Sequence, residues 1–182
     1  MKRFSLKNKI IIITGGAGLM AEQHASVVIE NGGIPVLIDN NIDKLKKKYK
    51  FFKKKYEGKK IIYFSADITK EKDILLCAKK IKKEYKKVDV LINNAAVNYK
   101  MNSKNKNNKL FLENFDLKTW DYDLSVGLKG SLICTKIFGL IMAKQKKGVI
   151  LNIASDLALI SPDNRIYNDK KILRVKPISY SV

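Results

Sequence analysis

The stretch from Lys9 to Ala21 constrains the fold more than any other part of the chain. Its unbroken isoleucine run, Ile10 to Ile13, predicts a strand buried on both faces, and the run stops at a cluster of glycines. A helical pattern of apolar residues, from Leu19 to Ile29, begins directly after that cluster. This order of strand, tight turn and helix is typical of a sheet in which strands and helices alternate.

The glycines of this turn have the spacing of a phosphate-binding loop. Gly16, Gly18 and Ala21 fit the pattern G-x-G-x-x-G/A, in which small residues permit a tight turn and let the backbone approach a pyrophosphate. The helix that follows would direct its first N–H groups and the positive end of its dipole toward the anion. Taken alone, the same glycines also suit a plain turn between strand and helix.

Length and composition indicate one globular domain. The chain has 182 residues, of which 46% are hydrophobic, and this is enough for a single buried core. The sequence shows no run of about 18 apolar residues and no start resembling a signal peptide, which favours a cytoplasmic protein outside the membrane. Cys77 and Cys134 have no C-x-x-C pairing or histidine partner, so we expect reduced thiols and no metal site.

The formal net charge of +20 raises the question of a nucleic-acid partner. Only Arg3, Arg165 and Arg174 are arginines, and the remaining basic residues are lysines scattered over all the predicted helices. Base readout favours arginine, and a binding site would cluster its charge and interleave aromatic residues. We therefore expect no specific nucleic-acid partner, only salt-sensitive adhesion to polyanions.

Further strands and helices alternate along the chain. The strands are predicted at residues 34–38, 60–65, 88–92 and 148–155, and the helices at 42–57, 70–85 and 117–146. Thr69 and Asp116 are the predicted N-caps of the last two helices. An Asn- and Lys-rich stretch from Tyr99 to Lys109 is predicted to be a surface loop. The alternation predicts the α/β class, with a Rossmann-like, doubly wound parallel sheet and helices on both faces.

The long predicted helix has apolar residues at helical spacing. They are Trp120, Leu124, Leu128, Leu132 and Ile133. Phe138 and Ile141 continue this apolar side, which could serve either the core or a contact between two copies of the chain.

An acidic residue ends the second predicted strand. Asp39 lies 24 positions past Gly15, where a carboxylate could accept hydrogen bonds from the free hydroxyls of an adenosine ribose. The same charge would repel a 2′-phosphate, which favours NAD over NADP as the dinucleotide. Asp39 could also be the N-cap of the helix that begins near Ile42, and the two roles are compatible.

Four motifs in this order resemble the short-chain dehydrogenase/reductase family. They are Thr14 to Ala21, Asp39, Asp67 after the third strand, and Asn93-Asn94-Ala95-Ala96 after the fourth. The family has T-G-x-x-x-G-x-G, an acid for the ribose, an acid near the adenine and N-N-A-G. The resemblance implies that NAD is bound by Thr14, Gly15, Gly16, Gly18, Leu19, Met20, Asp39, Asp67, Ile68, Asn94, Ala95 and Ala96. One departure is that Leu19 and Ala21 replace two family glycines, which gives the spacing T-G-x-x-G-x-x-G of the family's extended branch.

The same resemblance implies a pair of catalytic residues. Ser155, at the end of the fifth strand, matches the family's catalytic serine, and Tyr180 resembles the start of its Y-x-x-x-K motif. The tyrosine would pass a proton to or from the substrate oxygen while hydride moves at the nicotinamide, and the serine would hold that oxygen. The lysine of that motif would fall past Val182, where the sequence stops. We therefore expect a C-terminally incomplete chain whose fifth strand is an exposed apolar edge.

Two further departures concern the substrate side. Gly127 takes the place of a family asparagine that supports a proton relay, and about 24 residues separate Ser155 from Tyr180, roughly twice the family's usual gap. The extra segment would fold over the substrate cleft, where Arg165 and Arg174 could bind an anionic substrate such as a phosphorylated sugar, or form an ordinary charged loop.

The segment between Ser155 and Tyr180 also resembles a bacterial subgroup of the family associated with surface-polysaccharide and flagellin-glycan sugar pathways. The resemblance thus implies a small-molecule substrate, with a homo-oligomer as the expected state of the full-length form. The alternative is a noncatalytic protein that binds the dinucleotide without completing turnover.

Overall fold

The computed structural model of the protein describes residues 4–97, 99, 110–167 and 175–181. Its centre is a parallel sheet in the order β3-β2-β1-β4-β5. The strands are β1 (Ile10–Thr14), β2 (Ile34–Asp39), β3 (Ile62–Ser65), β4 (Val90–Asn93) and β5 (Val149–Asn152). The predicted fold class is confirmed. The Asn- and Lys-rich residues 100–109 and Arg174, for which a loop and an anion contact were predicted, lie outside the described residues.

The isoleucine run forms the central strand of the sheet. Ile12 lies opposite Val36 of β2 on one side and Leu91 of β4 on the other. Each isoleucine of β1 is at most 1% exposed, because strands flank β1 on both sides and helices cover both faces. Burial on both faces is the physical reason for an apolar run without polar alternation.

Helices cover the two faces of the sheet. They are α1 (Leu19–Glu30), α2 (Ile42–Lys55), α3 (Glu71–Tyr85), α4 (Leu117–Leu124) and α5 (Ser131–Lys144), with a π-helical turn, Ser125–Gly130, between the last two. The buried residues of α1 and α2 share one core cluster, and those of α3 and α5 share the other. The chain runs outward from β1 through β2 to β3 and then crosses to β4 on the other side. This reversal opens a crevice at the carboxyl ends of β1 and β4, where ligands bind in sheets of this kind.

The helix N-caps differ in two places from the prediction. Asn41, and not Asp39, caps α2 by accepting the N–H of Lys44 at 3.0 Å. The hydroxyl of Thr69 is not a cap of α3, because it donates to Asp67 Oδ1 at 2.7 Å. Asp116 caps α4 as predicted, by accepting the N–H of Lys118 at 3.2 Å.

The apolar side predicted for the long helix is divided between the core and the surface. Leu128 and Leu132 are 58% and 66% exposed, whereas Ile133 and Phe138 are buried against the sheet. The π-helical turn contains Leu128 and ends just before α5, and such a turn shifts the faces that follow it away from regular α-helical spacing. By length and composition alone, the stretch Leu117–Lys144 could cross a membrane, and it is the one such helix among the described residues. Here α5 buries Ile133, Phe138 and Met142 in the core and leaves Leu132 and Leu140 exposed.

Strand β5 is an edge of the described sheet and its side chains are exposed. Val149, Ile150 and Leu151 are 60%, 36% and 46% exposed. The predicted exposure of this apolar edge is confirmed.

Candidate functional site

Thr14, the last residue of β1, connects the loops that follow β1 and β4. Its hydroxyl oxygen accepts the N–H groups of Asn94 and Ala95, both at 3.0 Å. The side-chain amide of Asn94 donates in return to the Thr14 carbonyl oxygen at 2.9 Å. These bonds hold the predicted residues Asn94 and Ala95 beside the glycine loop, with the exposed Ala96 next in the chain.

The glycines of the loop meet backbone and side chains at very close range. Gly15 has a φ of +65°, and a Cβ there would lie 2.9 Å from the Cα of Ala95. A Cβ at Gly16 would lie 2.7 Å from the Cβ of Leu37 in β2. The N–H of Gly18 closes the turn by donating to the Gly15 carbonyl at 2.9 Å. The loop therefore depends on glycine both for its left-handed turn and for its close packing.

The start of α1 suits an anion. Gly18 is the N-cap residue and has no side chain with which to cap the helix. The side chains of Leu19 and Met20 are directed to solvent, with 86% and 54% exposure. The first N–H groups of a helix lack partners within the helix, so a phosphate could accept their hydrogen bonds at this end.

Asp39 lies beside the glycine loop at the end of β2. Its Oδ2 accepts the N–H of Ala17 at 3.0 Å, and its Oδ1 accepts the N–H of Asn41 at 2.9 Å. A carboxylate has lone pairs for further donors, so Asp39 can also accept hydroxyl groups from a ligand in the crevice.

Asp67 and Ile68 follow β3 at the same edge of the sheet. Asp67 Oδ1 accepts the N–H and the hydroxyl of Thr69 at 3.0 and 2.7 Å, and Lys70 Nζ lies 3.5 Å from Oδ2. Burial raises the pKa of Asp67, but these hydrogen bonds and the Lys70 charge outweigh burial and bring that pKa below its ordinary value. The side chain of Ile68 is 7% exposed and packs over Gly130, so a ligand would meet mainly its backbone.

Ser155 and Tyr180 are carried by neighbouring turns. Ser155 directly precedes the 3₁₀ turn Asp156–Ala158, and Tyr180 lies in the 3₁₀ turn Ile178–Ser181, which contacts it. Tyr180 is 36% exposed. The structure thus brings the two predicted catalytic residues into one region of the molecule.

The hydroxyl of Ser155 has two partners within its own turn. It donates to Asp156 Oδ1 at 3.1 Å and accepts the N–H of Leu157 at 3.2 Å. To donate to a substrate oxygen, the hydroxyl would have to leave Asp156, and a rotation about one bond suffices for that.

Sequence reasoning missed Lys176 as a neighbour of Tyr180. The Lys176 ammonium lies 4.2 Å from the centre of the Tyr180 ring, a distance that suits a cation–π contact. The backbone N–H of Lys176 donates to Asn164 Oδ1 at 3.1 Å, which joins the two ends of the segment after β5. The only signal was a lysine four residues before Tyr180, and surface lysines are too common here for that spacing to stand out.

Asp123 on α4 is a second missed residue. Its Oδ1 accepts the hydroxyl of Tyr99 at 2.7 Å, and its Oδ2 accepts the hydroxyl of Ser179, the residue before Tyr180. An acid on a helix usually indicates a solvated surface, so the sequence carried no signal for this contact.

A third missed feature is a polar network between β4 and β5. The side-chain amide of Asn93, which is 4% exposed, donates to Asn152 Oδ1 at 2.7 Å and to Thr135 Oγ1 at 3.1 Å. The network connects the strand that precedes Asn94 with the strand that precedes Ser155. It therefore fixes the two strand ends against each other.

A cavity of about 330 Å³ adjoins the turn of Tyr180. Three segments line it, through residues 110–113, residues 161, 162 and 164, and residues 175–178. Its lining mixes apolar side chains with the polar residues Glu113, Ser161, Asn164 and Lys176. Its size and mixed lining suit a small organic molecule.

Arg165 does not offer a free guanidinium to this region. It binds the carboxylate of Asp163, with Nε at 2.9 Å from Oδ1 and Nη2 at 2.8 Å from Oδ2, and its side chain is 91% exposed. The structure thus favours the ordinary charged loop over the predicted anion contact.

At Gly127 the helix leaves open space, since a Cβ built there meets no atom of the described residues within 4 Å. The position that the family fills with an asparagine is therefore sterically open in this chain.

The all-parallel sheet, the reversal between β1 and β4, and the glycine loop before α1 define a dinucleotide-binding fold. The chain belongs to the short chain dehydrogenase family, whose sequence profile matches residues 9–167. The match includes Ser155 and ends before Tyr180.

Individual relatives agree with this assignment. The NAD-dependent glycerol dehydrogenase of Listeria innocua is 28% identical over 165 residues, which are 91% of this chain and 59% of that protein. The 2-dehydro-3-deoxy-D-gluconate 5-dehydrogenase of Bacillus subtilis is 28% identical over 156 residues, 85% of this chain and 56% of that protein. The crystal structure of NAD+-bound xylitol dehydrogenase shares the fold, with a TM-score of 0.78, 20% identity, and coverage of 98% of this chain and 60% of that one. The chain thus spans about three fifths of the length of these proteins.

Proposed function

We propose that this protein is an NAD-dependent oxidoreductase that transfers hydride between the nicotinamide and an alcohol or ketone, and that it folds as one dinucleotide-binding domain. The observation that carries the proposal is the grouping of the glycine loop, Asp39 and the Asn94–Ala95 loop at one edge of a parallel sheet. Family membership supports the type of reaction.

The residues at this edge would divide the binding of NAD among them. The glycine loop and the first N–H groups of α1 would hold the pyrophosphate, and Asp39 would accept the ribose hydroxyls. The remaining contacts are proposed for the loops after β3 and β4, at Asp67, Ile68, Asn94, Ala95 and Ala96. The negative charge of Asp39 opposes a 2′-phosphate, and the Listeria innocua relative is named as NAD-dependent. Both support NAD over NADP.

Tyr180 and Ser155 would act on the substrate oxygen. The phenol of Tyr180 would donate a proton to that oxygen, or accept one in the opposite direction, and the hydroxyl of Ser155 would hold the oxygen by a hydrogen bond. When bound, the nicotinamide supplies the carbon that gives or takes the hydride. The contact between the two turns supports these roles, because both hydroxyls must reach one oxygen atom.

The proposed substrate is a small sugar derivative or other polyhydroxylated alcohol. Two relatives are named for glycerol and for a sugar acid, and the cavity beside Tyr180 has a mixed lining that includes a carboxylate and an ammonium group, which can bind hydroxyls. We also propose the polysaccharide and flagellin-glycan sugar subgroup, supported by the resemblance of the segment after Ser155, and a cytoplasmic location. Because Arg165 already binds Asp163, a phosphate on the substrate is not part of the proposal.

Self-association of the protein is also proposed. Leu128, Leu132 and Leu140 are each more than half exposed on the long helix, and an apolar helix side of this kind can pair with a second copy.

Turnover by two variants tests the catalytic proposal. The parent, Tyr180→Phe and Ser155→Ala are each given NAD and a panel of polyols and sugar alcohols. The rate at which NAD is reduced is measured by absorbance. We expect turnover to fall by about 10² to 10⁴-fold in each, since each variant removes a hydroxyl at the reacting oxygen. Tyr122→Phe is the matched control, because Tyr122 is an exposed tyrosine on α4. Unchanged turnover in Tyr180→Phe would contradict the assigned roles, and NAD binding without any turnover in the parent would favour the noncatalytic alternative.

A further inference from the structure

We propose that Asp123 is the positioning residue that holds the turn of Tyr180 against α4 and thereby sets where its phenol and the adjoining cavity wall lie. This inference rests on the proposed function only in taking Tyr180 as the proton-transfer group. The hydrogen bonds that carry it are independent of that role.

Asp123 joins three segments that are far apart in the chain. It lies on α4, accepts the hydroxyl of Tyr99 from the loop after β4, and accepts the hydroxyl of Ser179 from the turn Ile178–Ser181. The contact with Ser179 spans 56 positions of sequence, and Ser179 directly precedes Tyr180. A single carboxylate therefore fixes the loop from one side and the turn from the other.

The chemistry of the two partners calls for a carboxylate. Each hydroxyl donates its proton to Asp123, and an ionised carboxyl group can accept at both oxygens, whereas the amide of an asparagine would present N–H donors to one of them. Hydrogen bonds to a charged acceptor are stronger than neutral ones, and the site is partly buried. Asp123 is thus matched to both donors in a way that asparagine is not.

The other hydrogen bonds of the Tyr180 turn are to residues of its own segment of the chain. The N–H of Tyr180 donates to the Pro177 carbonyl at 3.0 Å, and the N–H of Lys176 donates to Asn164. Both of these bonds stay within the segment that follows β5. Within the part of the chain that the structure describes, the hydrogen bond from Ser179 to Asp123 is the one that connects residues 175–181 to a helix covering the sheet.

The same turn also shapes the cavity. Lys176, Pro177 and Ile178 line it, and Lys176 lies over the ring of Tyr180. A change at Asp123 should therefore move the phenol and the cavity wall together. An effect on turnover and on substrate affinity would follow, without an effect on the glycine loop.

Tyr99 provides a spectroscopic signature for the contact. Burial first, and then the hydrogen bond to Asp123 and its charge, raise the pKa of Tyr99 above the ordinary range of tyrosine. Removing the carboxylate charge removes part of that rise. A purely mechanical loosening elsewhere in the domain would not lower the ionisation midpoint of one tyrosine.

The experiment compares Asp123→Ala and Ser179→Ala with two matched controls in the full chain. Asp121→Asn changes an exposed acid on the same helix, and Ser179→Thr keeps the hydroxyl. Amide exchange in residues 175–181 should accelerate by about tenfold or more in both alanine variants and stay near the parent rate in both controls.

In Asp123→Asn the alkaline titration of tyrosine absorbance should show one midpoint moved downward, and protection by NAD against thermal unfolding should be unchanged.

The outcomes separate this inference from the proposed function. Unchanged exchange in Asp123→Ala, or equal acceleration in Asp121→Asn, would overturn the positioning role whatever the turnover. If the parent turns over a polyol, Asp123→Ala and Ser179→Ala should each lower kcat about tenfold or more, whereas Ser179→Thr should keep kcat near the parent value, with the KM for NAD unchanged in all three. A parent that binds NAD without turnover would contradict the proposed function, while the exchange result would still decide the role of Asp123.

Discussion

At the scale of single residues, Asp89 makes the stability of the sheet depend on pH. Its Oδ1 lies 3.0 Å from Lys9 Nζ, and its Oδ2 accepts the N–H of Ile10 at 2.9 Å and lies 3.0 Å from Lys87 Nζ. Burial alone would raise the pKa of Asp89. These hydrogen bonds and charges lower that pKa by more than burial raises it, so the folded-state pKa lies below the ordinary value. A carboxyl group of this kind stabilises the fold fully above its unfolded pKa of about 3.9, and the contribution is lost as pH falls through the folded pKa.

We predict that Asp89→Asn lowers the free energy of unfolding at neutral pH by about 1–3 kcal/mol, since it removes charged hydrogen bonds to the first strand. Urea denaturation of parent and variant at several pH values measures this. The difference should shrink below about pH 4, because the parent also loses its charge there. Asp121→Asn serves as the control with little effect, and parallel pH curves for parent and Asp89→Asn would contradict the account.

Two glycines should respond in opposite ways to alanine. At Gly15 the left-handed φ of +65° and the 2.9 Å approach to Ala95 make a Cβ costly, so Gly15→Ala should destabilise by about 1–3 kcal/mol and weaken NAD binding. At Gly127 a Cβ enters open space in a helical segment, so Gly127→Ala should stabilise by about 0.4–1 kcal/mol. Thermal unfolding with and without NAD measures both variants. Equal effects at the two positions would mean that the turn at Gly15 is not constrained as described.

At the scale of elements, the packing of α3 on α5 encloses both cysteines. Cys77 and Cys134 are 4% and 0% exposed in the same core cluster. Burial raises the pKa of Cys77 to about 11 and that of Cys134 to about 12. At pH 8 about one Cys77 thiol in a thousand is ionised, and only the thiolate reacts with a disulfide reagent.

We therefore predict that both thiols react slowly in the folded protein and rapidly in denaturant. The labelling rate in native buffer should follow the opening of α3 from α5 and rise with small additions of urea. Ellman's reagent provides the measurement. Fast labelling of either thiol in native buffer would show that these helices do not pack as described.

The elements were predicted more reliably than the contacts between them. Strand β1 was clear because a strand buried on both faces needs an unbroken apolar run, and the glycine spacing marked the start of α1. Which apolar residues of the long helix are buried, such as Ile133, and which are exposed, such as Leu128 and Leu132, could not be predicted, because the π-helical turn departs from regular spacing. The hydrogen bonds from Asn94 to Thr14 and from Ser179 to Asp123 could not be predicted, since each joins residues far apart in sequence whose proximity only the fold creates.

At the scale of the whole molecule, the exposed edge of β5 should add to association, beside the apolar side of the long helix. Val149, Ile150 and Leu151 present apolar side chains on a strand that is the edge of the described sheet. Such edges pair with other chains and favour aggregation, and a lysine on the edge opposes this. We predict that Leu151→Lys reduces the apparent mass and light scattering of the purified protein at a given concentration. Leu19→Lys, at an exposed leucine away from that edge, is the control, and equal scattering by both variants would contradict the role of β5.

The central claim is that the carboxyl edge of this sheet binds NAD, and titration with NADH and NADPH tests it most directly. Isothermal titration of the parent should show binding of NADH about tenfold or more tighter than that of NADPH, because Asp39 accepts ribose hydroxyls and repels a 2′-phosphate. In Asp39→Ala the preference should narrow or disappear. If the folded parent bound neither dinucleotide, or bound NADPH more tightly, the assignment of this edge as an NAD site would be wrong.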